Sequence, residues 1–147
     1  MEVMQTEPLV IIDGAHNPAK MKSLITNVTK LYPDKSITAI VGVLATKDAS
    51  SQLKYLAPYV DRWAITQPHV FGKPSTTPEE LAEMTRPLTD KPMEIFESVE
   101  VALSAVLPTL NPQTDLLLIT GSLYLIGDAR GHWHPKQQLL RELELGD

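Results

Sequence analysis

Short aliphatic runs alternate with amphipathic stretches along most of this chain, and that alternation restricts its fold more than any other feature. The runs are rich in β-branched and aliphatic residues, as expected of strands buried on both faces. They cover residues 9–13, 37–43, 61–66, 93–96 and 115–120. Strands that alternate with helices favour right-handed crossovers, and therefore a mainly parallel sheet.

Helix signals stand between the runs. Asn17 before Pro18 suits an N-cap followed by proline at the first helical position, and the apolar spacing predicts a helix over 18–32. Thr77-Pro78-Glu79-Glu80 has the form of a capping box. Further helices are predicted over 48–58 and 99–110, and after Gly121. We therefore predict an α/β, Rossmann-like, three-layer domain with five or six mainly parallel strands and helices on both faces. The tail leaves two alternatives open, a last helix over 136–145 or a frayed end.

Size and composition narrow the function classes. The 147 residues fit one domain, 1–147, and 43% of them are hydrophobic, which allows a sizeable core. No apolar run approaches the ~20 residues of a membrane span, and the first residues do not resemble a signal peptide. The net charge of −5 argues against a nucleic-acid partner, and the absence of cysteine excludes thiolate chemistry. We expect a cytoplasmic monomer that binds small molecules.

Polar residues follow the predicted strands at their carboxyl ends. In open parallel sheets, ligands bind in the crevice beyond those ends. An acid, an imidazole, two ammonium groups and a hydroxyl there would suit an anionic ligand that carries hydroxyl groups. These residues are Asp13, His16, Lys47, Lys73 and Ser122.

Several other possible motifs, for phosphate, dinucleotide or metal binding, lack residues that they require. Gly72-Lys73 fails as a P-loop because Gln67 and Pro74 stand where glycine and Ser or Thr are required, and no G-x-G-x-x-G follows the first strand. His132 and His134 lack a third ligand nearby, so no metal site is expected. The aromatic residues Trp63, Tyr124 and Trp133 are interpreted as packing residues.

Three blocks resemble one family. DGAHNP at 13–18, VGVLATKD at 41–48 and TGSLYLIG at 120–127 are similar in order and spacing to signatures of the C-terminal domain of Mur-type ligases, in the form found in folylpolyglutamate synthase and dihydrofolate synthase. The resemblance covers essentially the whole chain.

The resemblance implies a role for each matching residue. Asp13 would accept hydrogen bonds from the ribose hydroxyls of ATP, with His16 and Asn17 close to the nucleotide. Lys47 and Ser122 would bind the carboxylates of an incoming L-glutamate, although a helix-start charge pair and an N-cap are the simpler readings of these two. Lys73 lies where relatives commonly carry Asn-Pro-Arg; it would act as a substitute, but a lysine cannot reproduce a bidentate arginine.

The resemblance also implies an activity. The whole enzyme would be an ATP-dependent, ADP-forming amide ligase of folate biosynthesis, polyglutamylation and one-carbon metabolism. It would activate a folate or dihydropteroate carboxyl as an acyl phosphate, which the amine of L-glutamate attacks. An N-terminal P-loop ATPase domain of the same polypeptide, absent from this chain, would hold the phosphates and Mg²⁺.

In this scheme the chain carries no assigned catalytic residue or metal ligand, binds no ligand tightly by itself and is inactive alone. Two alternatives remain open. One is a ligase for another substrate such as a muramyl peptide. The other is a stand-alone, non-catalytic ligand-binding domain.

Overall fold

The computed structural model describes residues 1–45 and 48–135. Within these residues the chain forms six strands, β1 (Glu2–Thr6), β2 (Leu9–Asp13), β3 (Ser36–Val41), β4 (Arg62–Ile65), β5 (Met93–Ile95) and β6 (Asp115–Thr120). It also forms five α-helices, α1 (Pro18–Leu31), α2 (Ala49–Leu56), α3 (Pro78–Thr85), α4 (Val99–Val106) and α5 (Leu123–Arg130). No helix in the described part is both long and apolar enough to cross a membrane.

The strands form one sheet in the order β1-β2-β6-β3-β4-β5. All neighbouring strands are parallel except β1, which runs antiparallel to β2. The predicted Rossmann-like α/β class with a mainly parallel sheet is therefore confirmed. Strand β1 was not among the predicted runs, because its five residues are exposed or only half-buried and carry no apolar signal.

The helices cover both faces of the sheet, which gives the three predicted layers. Leu9 and Ile11 of β2 belong to a core shared with α1, α2 and α3. Val10 and Ile12 point to the opposite face, into a second core shared with α4 and α5. This alternation follows from the two-residue period of a strand. Trp63 is completely buried, as predicted for a packing residue.

The helix starts agree with the cap signals in the sequence. Asn17 Oδ1 accepts a hydrogen bond from the Lys20 amide at 2.9 Å, and Thr77 with Glu80 forms the predicted capping box.

Two helices are shorter than predicted. Helix α2 begins after Asp48, which is its N-cap, and ends at Leu56. Helix α4 ends at Val106 and continues as a 3-10 turn, Leu107–Thr109, because Pro108 has no amide hydrogen to continue an α-helix. The possible helix over 136–145 lies outside the described residues.

Candidate functional site

The carboxyl ends of β2 and β6 lie side by side at one edge of the sheet. Asp13, the last residue of β2, is paired with Thr120, the last residue of β6. Gly121 follows with φ of +114°, and a Cβ at this position would lie 2.5 Å from the carbonyl oxygen of Gly42. Glycine is therefore required where the chain leaves β6 and passes close to the end of β3. The close approach gathers polar residues from separate segments.

Asp13 lies on the α1 side of this edge. Its Oδ1 accepts a hydrogen bond from the Ala15 amide at 2.9 Å, and its Oδ2 lies 2.7 Å from the Met1 nitrogen. The carboxylate lines a groove of about 570 Å³ together with Lys20, Ser23 and Asn27 of α1. A groove of this volume falls within the range of pockets for drug-sized ligands.

His16 is held by two hydrogen bonds. Its Nδ1 lies 2.8 Å from the carbonyl oxygen of Gly14, and since a carbonyl only accepts, Nδ1 carries the hydrogen. In the neutral imidazole, Nε2 is therefore left as an acceptor. The backbone carbonyl of His16 accepts a hydrogen bond at 3.1 Å from Nε2 of Gln52, a residue of α2 that is 1% exposed. Both the ring and the backbone of His16 are thus fixed.

A smaller cavity of about 180 Å³ lies at the start of α5. It is lined by His16, Leu44, Lys73, Gly121, Ser122, Leu123 and Tyr124. The side chain of Ser122 is the N-cap of α5, and its Oγ accepts a hydrogen bond from the Tyr124 amide at 3.1 Å. Ser122 is 2% exposed, so the hydroxyl belongs to the wall of the cavity.

The electrostatics of the small cavity suit an anion. The Lys73 ammonium donates a hydrogen bond to the Tyr124 hydroxyl at 2.6 Å. None of the side chains that line the cavity, all of them in the described part, is a carboxylate. The start of α5 adds the positive end of a helix dipole. A carboxylate group of a ligand in this cavity would lie near the Lys73 ammonium, the Ser122 hydroxyl and the N-terminus of α5.

The structure divides the candidate residues between the two cavities. Asp13 lines the groove beside α1, whereas His16 lines the small cavity with Ser122 and Lys73. Asn17 uses its side-chain oxygen as the cap of α1. Lys47 lies outside the described residues. Among the described residues, no cluster of three or more His, Cys, Asp or Glu side chains could hold a metal ion.

Sequence reasoning missed two residues near the site. Tyr124 was interpreted as a packing residue, which is wrong because its side chain is 40% exposed and lines the small cavity. Its position in the first turn of a helix that begins at the end of a strand could have indicated this. Gln52 carried no such signal, since only the fold brings α2 against the carbonyl of His16.

The fold and the site together define a class: an open α/β domain with polar cavities at the carboxyl edge of a mainly parallel sheet. A family model described as Mur ligase, glutamate ligase domain matches residues 1–123. The chain belongs to this family.

Known relatives agree with this assignment. The folylpolyglutamate synthase of Lacticaseibacillus casei is 34% identical over 131 residues, which cover 88% of this chain and 28% of that protein. Escherichia coli FolC in complex with DHPP and ADP matches with a TM-score of 0.81 and 26% identity, over 92% of this chain and 31% of that one. A bifunctional folylpolyglutamate synthase/dihydrofolate synthase with Mn, AMPPNP and L-glutamate bound matches with a TM-score of 0.76 and 27% identity, over 90% and 30%. The chain therefore spans less than a third of these relatives, and it aligns with their C-terminal portion.

Proposed function

We propose that this chain is the amino-acid-binding, C-terminal domain of an ATP-dependent, ADP-forming ligase that joins L-glutamate to the carboxyl group of a folate or dihydropteroate. The observation that carries the proposal is the small cavity, where His16, Lys73 and Ser122 meet although they lie far apart in the sequence. The folate enzymes among the relatives favour this substrate class over a muramyl peptide.

The small cavity would receive the glutamate. Its volume of about 180 Å³ is about a third of the 570 Å³ of the groove beside α1, which suits an amino acid better than a nucleotide. The Lys73 ammonium and the Ser122 hydroxyl would bind the carboxylate groups of glutamate, and Lys47 would be a further residue that contacts them. The imidazole of His16 would then lie next to both the amino acid and the nucleotide.

The groove beside α1 would receive part of ATP. An ionised carboxylate accepts strong hydrogen bonds, so Asp13 is suited to the two ribose hydroxyls. Asn17 would lie near the nucleotide while its side chain caps α1. The phosphates and Mg²⁺ would be held by an N-terminal P-loop domain of the same polypeptide, as the resemblance to the family implies.

The reaction would proceed in two steps. The substrate carboxylate attacks the γ-phosphorus of ATP, which forms the acyl phosphate and releases ADP. The glutamate amine, after loss of a proton, attacks the acyl carbon, which forms the amide and releases phosphate. This chain would contribute proximity and exclusion of water, because it brings the amine to the acyl phosphate and closes over the nucleotide. We expect the polypeptide to act as a cytoplasmic monomer.

The test is ADP release by the polypeptide in which a P-loop domain precedes this chain. We expect ADP release that requires L-glutamate together with dihydropteroate or tetrahydrofolate, and none from the 147-residue chain by itself. Turnover by the chain alone would contradict the proposal. ADP release with a muramyl peptide in place of the folate would assign the other branch of the family, and absence of ADP release with every acceptor would favour a binding module.

A further inference from the structure

We infer that Tyr124 is a positioning residue that holds the Lys73 ammonium beside the Ser122 cavity, and that this pair selects an amino acid with a side-chain carboxylate. The inference rests on the proposed function, because it concerns the same cavity. It adds a residue that sequence reasoning had assigned to packing.

The backbone that carries Lys73 is fixed by hydrogen bonds. Residues 70–73 form a tight turn in which the Lys73 amide donates to the carbonyl of Val70 at 3.3 Å, with Gly72 at φ of +76°. The segment that follows forms backbone hydrogen bonds with the residues just after β3. The Ala45 amide donates to the carbonyl of Pro74 at 3.0 Å, and the Thr76 amide donates to the carbonyl of Val43 at 3.0 Å. The position of the Lys73 Cα is therefore determined by the fold.

The side chain of Lys73 has no such support from packing. Lys73 is exposed, and a lysine side chain that is free in solvent retains rotamer entropy that is lost when its ammonium is held in one place. Its Nζ nevertheless donates a 2.6 Å hydrogen bond to the Tyr124 hydroxyl and lies 4.8 Å from the centre of the ring. Tyr124 itself stands on α5, whose start is fixed by the Ser122 cap. The phenol therefore restricts the ammonium to one place.

The positive charge of Lys73 stays available to a ligand. In the ranges 1–45 and 48–135, no carboxylate lies within salt-bridge distance of Nζ. A phenol is neutral, so it orients the ammonium without cancelling its charge. An arginine presents its donors in a rigid fork, whereas a lysine is a point charge on a flexible stem. A neutral partner that orders the stem supplies part of that missing rigidity.

This arrangement predicts selectivity for glutamate over glutamine. The two amino acids have nearly the same shape, and only glutamate has a negative side chain that an ordered ammonium can distinguish. Removing the phenol hydroxyl should free the ammonium, so that glutamate binds more weakly and the preference over glutamine shrinks. Removing the charge itself should abolish the preference.

The experiment is a titration of the ¹⁵N-labelled 147-residue chain with L-glutamate and, separately, with L-glutamine, followed by amide shifts in 121–124. The variants are Tyr124→Phe, Lys73→Gln and the double variant. Tyr59→Phe is the matched control, because it makes the same change at a tyrosine that is 49% exposed. We expect Tyr124→Phe to weaken glutamate binding about fivefold, since the ammonium regains its rotamers. The double variant should bind no more weakly than Lys73→Gln.

The outcomes separate the inference from the proposed function. A wild-type chain that shows no response to glutamate would overturn the inference, whereas the proposed function is decided by glutamate-dependent ADP release from the polypeptide that includes the P-loop domain. A wild-type preference for glutamate that persists undiminished in Tyr124→Phe would overturn the inference and leave the proposed function standing. Additive losses in the double variant would show that Tyr124 acts on the ligand independently of Lys73, which also overturns a positioning role. Thermal unfolding of each variant checks that the fold is retained.

Discussion

At the scale of single residues, the small cavity depends on Gly121. Its φ of +114° disfavours any side chain, and a Cβ would meet the backbone carbonyl of Gly42, which cannot move aside. We expect Gly121→Ala to lower the free energy of unfolding by about 3 kcal/mol, because both strain and overlap are introduced. Chemical denaturation measures this loss.

Gly127 supplies the control for this prediction. It lies within α5, and among residues 1–45 and 48–135 a Cβ there would meet no atom within 4 Å, apart from its chain neighbours and the helix backbone. Since alanine is the better helix former, Gly127→Ala should raise the stability by about 1 kcal/mol. Equal effects of the two substitutions would show that the passage from β6 to α5 is not under the constraint described above.

Single residues also show how far the sequence could predict the site. Asp13 and Ser122 could be proposed because a carboxylate and a hydroxyl directly follow strands whose carboxyl ends share one edge. The contact between Lys73 and Tyr124 could not, because these residues are 51 positions apart and meet only through the turn at 70–73. The separation of Asp13 from His16 into two cavities was likewise invisible, since they are three residues apart in the sequence.

At the scale of elements, the strands and helices with a regular pattern of apolar residues could be predicted from the sequence. A strand that polar contacts hold in place could not. The buried strand β6 is almost wholly aliphatic, whereas the edge strand β1 has no apolar run. Polar contacts connect β1 to the end of α5: Arg130 forms an ion pair with Glu2 at 2.6 Å, and Trp133 Nε1 donates to Gln5 Oε1 at 2.9 Å. Such contacts between distant parts of the chain leave no periodic pattern.

The start of helix α2 carries a prediction about pH. The hydroxyl of Ser51, and then its amide, donate hydrogen bonds to Asp48 and hold the pKa of this carboxyl below its ordinary value. A lowered folded-state pKa contributes stability that is complete above the unfolded value of about 4 and is lost as the pH falls through the lower folded value. The stability advantage of wild type over Asp48→Asn should therefore be constant above about pH 5 and shrink below it.

Denaturation of both proteins between neutral and acidic pH tests the Asp48 prediction. Ser51→Ala removes the hydroxyl that contributes most to the lowered pKa, so it should flatten the same pH dependence. If the difference between wild type and Asp48→Asn does not change as the solution is acidified, the carboxylate is not what stabilises the cap.

At the scale of the whole molecule, parallel strand pairing brings two different cavities to one edge of the sheet. The groove beside α1 is lined by the Asp13 carboxylate together with Lys20, whereas the small cavity beside α5 is lined by Lys73 and by no acidic residue. Strands β2 and β6 are adjacent, so ligands in the two places would lie next to each other, as a nucleotide and an amino acid must in an acyl-phosphate ligase. The sequence could predict that these residues share one edge of the sheet. It could not predict that they line two separate cavities, because this depends on the face of the sheet toward which each side chain points.

This division predicts that nucleotide and glutamate binding can be weakened independently. Asp13→Asn should weaken ATP binding to the chain about thirtyfold, because hydrogen bonds to an ionised group are worth roughly 2 kcal/mol, and leave glutamate binding unchanged. A nucleotide that lacks both ribose hydroxyls should bind to the wild-type chain more weakly than ATP by the same factor. For Asp13→Asn, the affinities for ATP and for this nucleotide should be nearly equal. Changes in amide shifts along α1 report nucleotide binding, and those in 121–124 report glutamate binding.

Asp34→Asn is the control, since it makes the same change at an exposed acid before β3 and should alter neither titration. If Asp13→Asn impairs both ligands equally, the two cavities act as one site and the assignment of Asp13 to the ribose is wrong.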